Sequence, residues 1–234
     1  PGLDGRVIYH PRGKVLGGSG SINALVYHRG QAGDYDDWAA AGNDGWSYAD
    51  VAPHFEQLET PPQDDPGAPH LSVTDNSADF HPMGSDFLEI CRQGQLPVCD
   101  APAREGTGIT PYLTTTRDGQ RCSSAKAFLR PAMRRRNLTV VTGAHVSRIF
   151  FEGKCARSVS YSRSGQDFKV SAGAEIILAA GAVGSPQILQ LSGVGDARYL
   201  QSIGIRSVHN APHVGRHLQD LSLIHISEPT RQDS

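Results

Sequence analysis

A run of small residues near the start of the chain has the composition of a nucleotide site. Gly17 and Gly18 are followed by Ser19 and Ser21, and Asn23 comes two residues later. Glycine has no Cβ, so the backbone there can approach a bulky ligand or turn with positive φ. The serines predict caps for a helix that begins here, and the free N–H groups of a helix start attract anions. The pattern indicates a phosphate contact, with a closely packed buried helix start as the alternative.

The residues after this turn suit a flat ring. The side-chain amide of Asn23 both donates and accepts hydrogen bonds. Ala24, Leu25 and Val26 supply small or apolar surface. Together with the glycines, they predict a ligand that joins a phosphate portion to a large heteroaromatic ring.

A second glycine-bearing segment predicts the element that would carry a nucleotide. Residues 175–180 form an apolar run of strand length that leads into Gly181. Ser185 suits the N-cap and Pro186 the first position of a short helix that Gly193 ends. Strand, glycine turn and helix form the unit on which doubly wound folds place a nucleotide. Neither glycine cluster has the third glycine of the dinucleotide fingerprint.

Together these segments resemble the glucose–methanol–choline (GMC) oxidoreductase family of FAD enzymes. Residues 13–36 look like its first signature and residues 181–195 like its second, and the similarity covers nearly all of residues 1–220. Within the family, the chain looks closest to the choline dehydrogenase and alcohol dehydrogenase branch. Other shared stretches are 29–30, 34–38, 45–46, 121–125, 130–133 and 214–220.

The resemblance implies a mixed α/β fold, of which we expect this chain to contain only part. Family members have a Rossmann-type FAD-binding domain with an inserted three-stranded β-meander, and a substrate domain built on an antiparallel sheet. We expect residues 1–59 and 131–220 to belong to the FAD-binding domain, and residues 60–130 to the substrate domain and its connecting loops. The residue pattern alone favours four short strands in the meander region, at 138–142, 146–151, 158–162 and 168–170. It also predicts helices over 47–59, 82–96 and 123–133 and one that begins at Asp196.

Cofactor contacts also follow from the resemblance. Val146 matches a family position whose backbone touches the adenine end, and Ala180 and Gly181 match the turn packed near the ADP portion. Ile22 stands where some members carry a histidine bonded to the flavin, so we expect non-covalent FAD. The positions that match the lining of the flavin and the diphosphate are Gly17, Gly18, Ser19, Asn23, Ala24 and Val26, with Leu25 among them.

The implied activity is oxidation of a small-molecule alcohol to an aldehyde or ketone, with hydride transfer to flavin N5. The family's catalytic histidine and its His or Asn neighbour lie in a C-terminal segment, so we expect no catalytic residue and no turnover in this chain alone; neither His28 nor His145 is assigned as the base. A quaternary ammonium needs an aromatic cage or a carboxylate, and we interpret Trp38, Trp46 and Tyr112 as core or sheet residues instead.

Three alternatives stay open at this level. The family includes hydroxynitrile lyases, which keep FAD without net redox chemistry. An inactive fragment or pseudogene product is the second, and an oxidase in place of a dehydrogenase is the third. The residues name neither the substrate nor the electron acceptor.

Both ends of the chain depart from the family pattern. Pro1 opens the chain in mid-pattern, and the glycine-rich βαβ unit of the family is expected before it. After Asp220 the pattern expects a histidine, but Leu221 stands there. Residues 221–234 resemble translated sequencing-library adapter, with an ordinary divergent tail as the alternative. We therefore expect an internal piece of a longer enzyme with a non-native tail.

Composition excludes several classes of protein. The 234 residues carry a net charge of −2, which argues against a nucleic-acid binder. The sequence contains no run of 18 or more apolar residues, so it predicts no membrane-spanning helix. Four cysteines without a C-x-x-C pair predict free thiols in a reducing compartment, so we expect the cytoplasm, while a leader before Pro1 is left open.

The histidines predict no metal site. None of the ten shows H-E-x-x-H spacing. His209, His213 and His217 lie four residues apart, but Pro212 and Gly215 forbid a regular helix there. Scattered surface histidines are the favoured interpretation.

Overall fold

The computed structural model describes residues 5, 7, 9–79, 81–99 and 107–218. The chain divides into two compact units between Thr139 and Val140. Helices and small, mostly antiparallel sheets occur in both units, which confirms the mixed α/β class. The predicted tail at 221–234 and the departures at Pro1 and Leu221 lie outside the described residues.

Helices of the first unit begin at caps that the sequence specifies. Ser47 accepts a hydrogen bond from the Asp50 amide, and the Asp50 carboxylate accepts one from the Ser47 amide, so the two residues form a capping box. Pro82 occupies the first turn of another helix, where its missing N–H costs no hydrogen bond. The helices are α1 (Ala32–Ala40), α2 (Tyr48–Glu59) and α3 (Pro82–Gln93).

Five short strands complete the sheets of this unit. The order of the larger sheet is β1-β3-β2, all antiparallel, and β4 pairs with β5 as a hairpin. Asp118 and Gly119 join the hairpin with φ of 51° and 69°, as a type I′ turn requires. The strands are β1 (Val26–Tyr27), β2 (Thr74–Asp75), β3 (Leu113–Thr114), β4 (Thr116–Arg117) and β5 (Gln120–Arg121).

The helix predicted over 123–133 is split. A π-helical turn covers Ala125–Leu129, and α4 (Arg130–Ala132) follows it directly. Pro131 has no N–H to donate to the carbonyl four residues earlier, so one bond of a regular α-helical ladder is missing in this segment.

A three-stranded antiparallel meander opens the second unit, as the family resemblance implied. It consists of β6 (His145–Glu152), β7 (Cys155–Arg163) and β8 (Gln166–Ser171), in that order. The predicted strand over 138–142 is wrong, because in the described part of the chain it pairs with no neighbour. An alternating pattern shows which residues suit a strand, but only hydrogen bonds to a second strand make one.

The second glycine segment forms a longer helix than predicted. It is α5 (Gly181–Leu191), followed by β9 (Val194–Gly195), α6 (Ala197–Ser202) and β10 (His209–Asn210), with β9 and β10 parallel. The strand expected over 175–180 is wrong, since it pairs with no strand of the described chain. Ser185 lies inside the helix, where its Oγ accepts from the Ala180 amide at 3.1 Å. This bond satisfies the amide before the helix and lets the helix begin at the glycine instead of at the proline.

A buried hydroxyl links the meander to α5. Ser192 is 1% exposed, and its Oγ accepts from the Ile149 amide at 2.9 Å and donates to the Ile188 carbonyl at 2.5 Å. Ile149 and Ile188 are both buried beside it. These contacts set the distance between β6, which contains Val146, and α5, which begins directly after Ala180.

Candidate cofactor site

The first glycine cluster forms a tight turn in the first unit. Residues 18–21 make one turn of 3₁₀ helix, with no side chain capping it. Gly17 and Gly18 have φ of 90° and 56°, the left-handed region that favours glycine. The predicted serine caps are therefore wrong, and so is the longer helix they were to start.

Both serine hydroxyls instead close the loop that precedes the turn. The Oγ of Ser19 accepts from the Gly13 amide at 3.2 Å, and the Oγ of Ser21 donates to the Leu16 carbonyl at 2.8 Å. Hydroxyls engaged in this way hold the loop together, so they are not available to cap the turn. These two hydrogen bonds thus stabilise the backbone conformation at residues 17 and 18 from the side of the preceding loop.

The glycines of the turn differ in what surrounds them. A Cβ at Gly17 would lie within 3.0 Å of the Ser21 Oγ and 3.1 Å from the Ala125 Cβ. A Cβ at Gly18 or Gly20 would meet nothing within 4 Å. Gly17 therefore serves close packing within the protein, whereas Gly18 and Gly20 leave bare backbone facing open space. Bare backbone of this kind fits the close approach of a bulky nucleotide.

Asn23 is held by two donors at one atom. Its Oδ1 accepts from the Leu25 amide at 3.1 Å and from Nη1 of Arg121 at 2.6 Å. Leu25 has a φ of 70°, rare for a side chain of this size. The Thr115 amide binds the Leu25 carbonyl at 2.9 Å and keeps this conformation in place. Strained backbone of this kind is concentrated at functional sites.

A charged network anchors the chain where it leaves the turn. Tyr27 and Arg29 both donate to the Glu59 carboxylate at the end of α2, with Arg29 Nε at 2.9 Å from Oε1. Partial burial and the Glu59 carboxylate raise the pKa of Tyr27. The guanidinium of Arg29 also lies over the Phe55 ring at 5.7 Å from its centroid. Strand β1, which begins at Val26, is thereby fixed to α2.

In the second unit, two of the predicted residues line one hollow. Val146 and Ala180 belong to the walls of a cavity of about 490 Å³ between β6, residues 176–180 and α5. Its other walls are mainly apolar, and His145 and Gln187 add polar groups. Gly181, next to Ala180, has a φ of 83°, and a Cβ there would meet nothing within 4 Å. The hollow has the size and lining that a nucleoside needs.

The structure thus places the predicted contacts in two groups. Residues 17–26 form the turn of the first unit and the segment after it. In the second unit, Val146 and Ala180 line the hollow, and Gly181 follows Ala180 in the chain. Arg121 joins the first group although the sequence pattern assigned it no role. The signal for it was only its place in the shared stretch 121–125, because its partners lie about a hundred residues away in the chain.

Aromatic residues of α1, of α2 and of the loop between them line an open hollow. Trp38 and Trp46 contact each other edge to face at 5.7 Å, but they are 50% and 51% exposed. With Tyr35 and Phe55, they line part of a cavity of about 590 Å³. The interpretation of the tryptophans as core residues is wrong, because about half of each side chain is exposed. Tyr112 is also 55% exposed, directly before β3.

Two of the histidines are neighbours. Nδ1 of His213 lies 3.4 Å from Nε2 of His217, since Gly215, with a φ of 78°, turns the chain between them. The prediction of scattered histidines is wrong for this pair. In the described part of the chain, no group of three or more His, Cys, Asp or Glu residues could hold a metal ion.

Comparison with known families identifies the chain. The GMC oxidoreductase family model matches residues 2–222. The chain belongs to the GMC oxidoreductase family. FAD is the cofactor of this family, so the cofactor prediction is confirmed at the family level, while its non-covalent attachment stays a prediction.

GMC relatives resemble the chain over its whole length. It is 40% identical to an uncharacterised GMC-type oxidoreductase of Mycobacterium bovis, over 100% of this chain and 46% of that protein. It is 41% identical to the mitochondrial choline dehydrogenase of Homo sapiens, over 97% of this chain and 39% of that protein. The chain therefore spans less than half the length of these GMC relatives.

Solved GMC-like structures agree with the fold. An FAD-dependent oxidoreductase from Chaetomium thermophilum matches with a TM-score of 0.79 and 31% identity, over 90% of this chain and 40% of that one. Pyridoxine 4-oxidase from Mesorbium loti matches with a TM-score of 0.76 and 32% identity, over 86% and 41%. Among the described residues, no helix has both the length and the apolar character to cross a bilayer.

Proposed function

We propose that the full-length protein oxidises the CH–OH group of a small alcohol to an aldehyde or ketone, in the manner of choline dehydrogenase. The observation that carries this proposal is the 41% identity to choline dehydrogenase over 97% of the chain. The family model that matches residues 2–222 spans the glycine turn, the Asn23 segment and the hollow beside α5. FAD, when bound, supplies the hydride acceptor for this chemistry.

The chain's own residues bind and orient the cofactor in this proposal. Gly18 and Gly20 expose bare backbone, and Asn23 adds a polar side chain beside it. The hollow lined by Val146 and Ala180 receives the adenosine portion. The proposed contacts are Gly17, Gly18, Ser19, Asn23, Ala24, Leu25, Val26, Val146, Ala180 and Gly181, and Gly17 acts through packing.

No residue of the chain is proposed as the catalytic base. Nδ1 of His28 already accepts the Gly30 amide at 2.8 Å, which takes up the lone pair that a base would use. His145 lies exposed at the start of β6. We propose that the base belongs to the part of the enzyme that the family places after this chain.

The proposal also covers domain organisation, cellular location and substrate. Residues 1–59 and 131–220 form FAD-binding parts, with residues 60–130 contributing to the substrate domain. The protein is cytoplasmic, supported by four cysteines that are all free thiols in the structure. Its partner is a small alcohol, and the electron acceptor is the subject of the experiment below.

The test uses the full-length protein encoded by the gene. Purified protein is expected to carry flavin, and choline or another primary alcohol is expected to bleach its visible absorbance under anaerobic conditions. Peroxide formation under air would indicate an oxidase, and reduction of an added artificial acceptor a dehydrogenase. A flavoprotein that no alcohol reduces, but that cleaves a cyanohydrin, would refute the oxidoreductase proposal in favour of a lyase.

A further inference from the structure

The orientation of the Asn23 amide is determined by its two partners. The Leu25 amide and the Arg121 guanidinium are donors only, and both point at the same terminal atom of Asn23. That atom must be the carbonyl oxygen, because the amide nitrogen also carries hydrogens and could not accept from them. The NH₂ group of Asn23 is therefore on the opposite side.

Arg121 binds the backbone of the turn as well as the side chain of Asn23. Its Nη2 donates to the Asn23 carbonyl at 2.7 Å, and its Nη1 lies 3.3 Å from the Gly20 carbonyl. A planar guanidinium presents its donors in a fixed fork, so three acceptors on one guanidinium leave little freedom to any of them. The hairpin end at β5 thus holds the turn from a position 98 residues away.

The free end of the Asn23 amide is available to a ligand. In the described part of the chain, its Nδ2 has no acceptor, and the residue is exposed. Nη1 of Arg121 contacts both Asn23 Oδ1 and the Gly20 carbonyl, so the Asn23 side chain is close to Gly20, where a Cβ would meet nothing within 4 Å. An exposed donor whose orientation is fixed in advance binds an acceptor without the entropic cost of ordering a side chain.

We propose that Arg121 is a positioning residue, which fixes the Asn23 amide so that its NH₂ group donates to an acceptor of the bound flavin nucleotide. The inference rests on the proposed function, because it takes FAD as the ligand of this turn. The acceptor is either an oxygen or nitrogen of the isoalloxazine ring or an oxygen of the diphosphate. Arg121 itself acts through Asn23 and the turn.

Four variants of the full-length protein test this role. Arg121→Met removes the fork, whereas Arg121→Lys keeps the charge without the fork. Asn23→Asp keeps the oxygen that Leu25 and Arg121 bind but removes the NH₂ donor. Lys126→Met is the matched control, because Lys126 is a neighbouring cation that binds Gln120 at 2.9 Å and does not bind Asn23. The FAD Kd is measured by flavin fluorescence, and the thermal midpoint of each apoprotein is measured in parallel.

Arg121→Met and Asn23→Asp are each expected to weaken FAD binding about tenfold, with a smaller loss for Arg121→Lys. Asn23→Asp is expected to keep the apoprotein midpoint, since Arg121 binds a carboxylate at least as well as an amide. Lys126→Met is expected to bind FAD like the parent. A shift of the visible flavin bands in Asn23→Asp would assign the acceptor to the ring, and an unchanged spectrum to the diphosphate.

Wild-type affinity in Arg121→Lys or in Asn23→Asp would overturn the positioning role, even if Arg121→Met failed to fold. An equal loss of affinity in Lys126→Met would also overturn it, because the effect would then be one of charge. The two proposals fail differently: a parent protein that binds no FAD refutes the proposed function and this inference together. A parent that binds FAD as tightly as its Arg121→Lys variant refutes the inference alone.

Discussion

Replacing Gly17 with alanine inserts a methyl group into a packed region of the turn. The new Cβ would lie within 3.0 Å of the Ser21 Oγ and 3.1 Å from the Ala125 Cβ. The same change at Gly18 meets nothing within 4 Å. Both positions have positive φ, so the difference between the two variants isolates the effect of packing from that of backbone strain.

The magnitudes follow from these two terms. An L-residue in the left-handed region costs about 1–2 kcal/mol, and this cost is common to both variants. Overpacking adds about 1–3 kcal/mol at Gly17 alone. We expect the free energy of unfolding of the apoprotein to fall by about 2–5 kcal/mol in Gly17→Ala and by about 1–2 kcal/mol in Gly18→Ala.

For FAD affinity, we expect the effect at Gly18. The methyl group of Gly18→Ala points into the open space that the proposed cofactor occupies, so we expect FAD binding about tenfold weaker. For apoprotein stability alone, Gly20→Ala is the control, because it adds a methyl group into open space without a positive φ. Its apoprotein stability is expected to match the parent or exceed it slightly.

The assay is urea unfolding of each apoprotein, followed by FAD titration of the folded protein. Gly17→Ala should be the least stable of the three variants. If Gly18→Ala destabilised the apoprotein as much as Gly17→Ala, the assignment of Gly17 to internal packing would be refuted. If Gly18→Ala bound FAD with the affinity of the parent, the open backbone at Gly18 would not be a cofactor surface.

Three further substitutions test the supports of the site. Partial burial and Glu59 raise the pKa of Tyr27, so the stability from this contact is complete below the ordinary tyrosine pKa of about 10 and is lost as the pH rises above it. Tyr27→Phe should flatten that alkaline decline of the thermal midpoint, and an unchanged decline would contradict the coupling. Glu59→Gln removes the charge that two donors share and should lower the free energy of unfolding, measured in urea, by about 1–3 kcal/mol. Ser192→Ala leaves the buried Ile149 amide without its acceptor and should cost about 1–3 kcal/mol by the same measurement, whereas parental stability would show that the link to β6 is dispensable.

Local signals predicted much of the secondary structure. The helix after Ser47 and the helix after Asp196 begin where expected, because each cap residue binds amides of its own first turn. The Asp118–Gly119 turn was equally predictable from its two residues. Elements that needed a distant partner were not: residues 138–142 and 175–180 have the composition of strands but pair with none in the described chain.

The motifs along the sequence were enough to show the resemblance to the GMC family, because each motif consists of residues that are near each other in the chain. The mixed α/β class and the FAD cofactor then followed from that resemblance. Only the tertiary structure decided which glycine packs and which one faces open space, since both have the same residue type and the same sign of φ. It also decided the direction of the Asn23 amide, which depends on a guanidinium 98 residues away. Contacts of that kind arise when separate elements meet in space, and no local pattern along the chain records them.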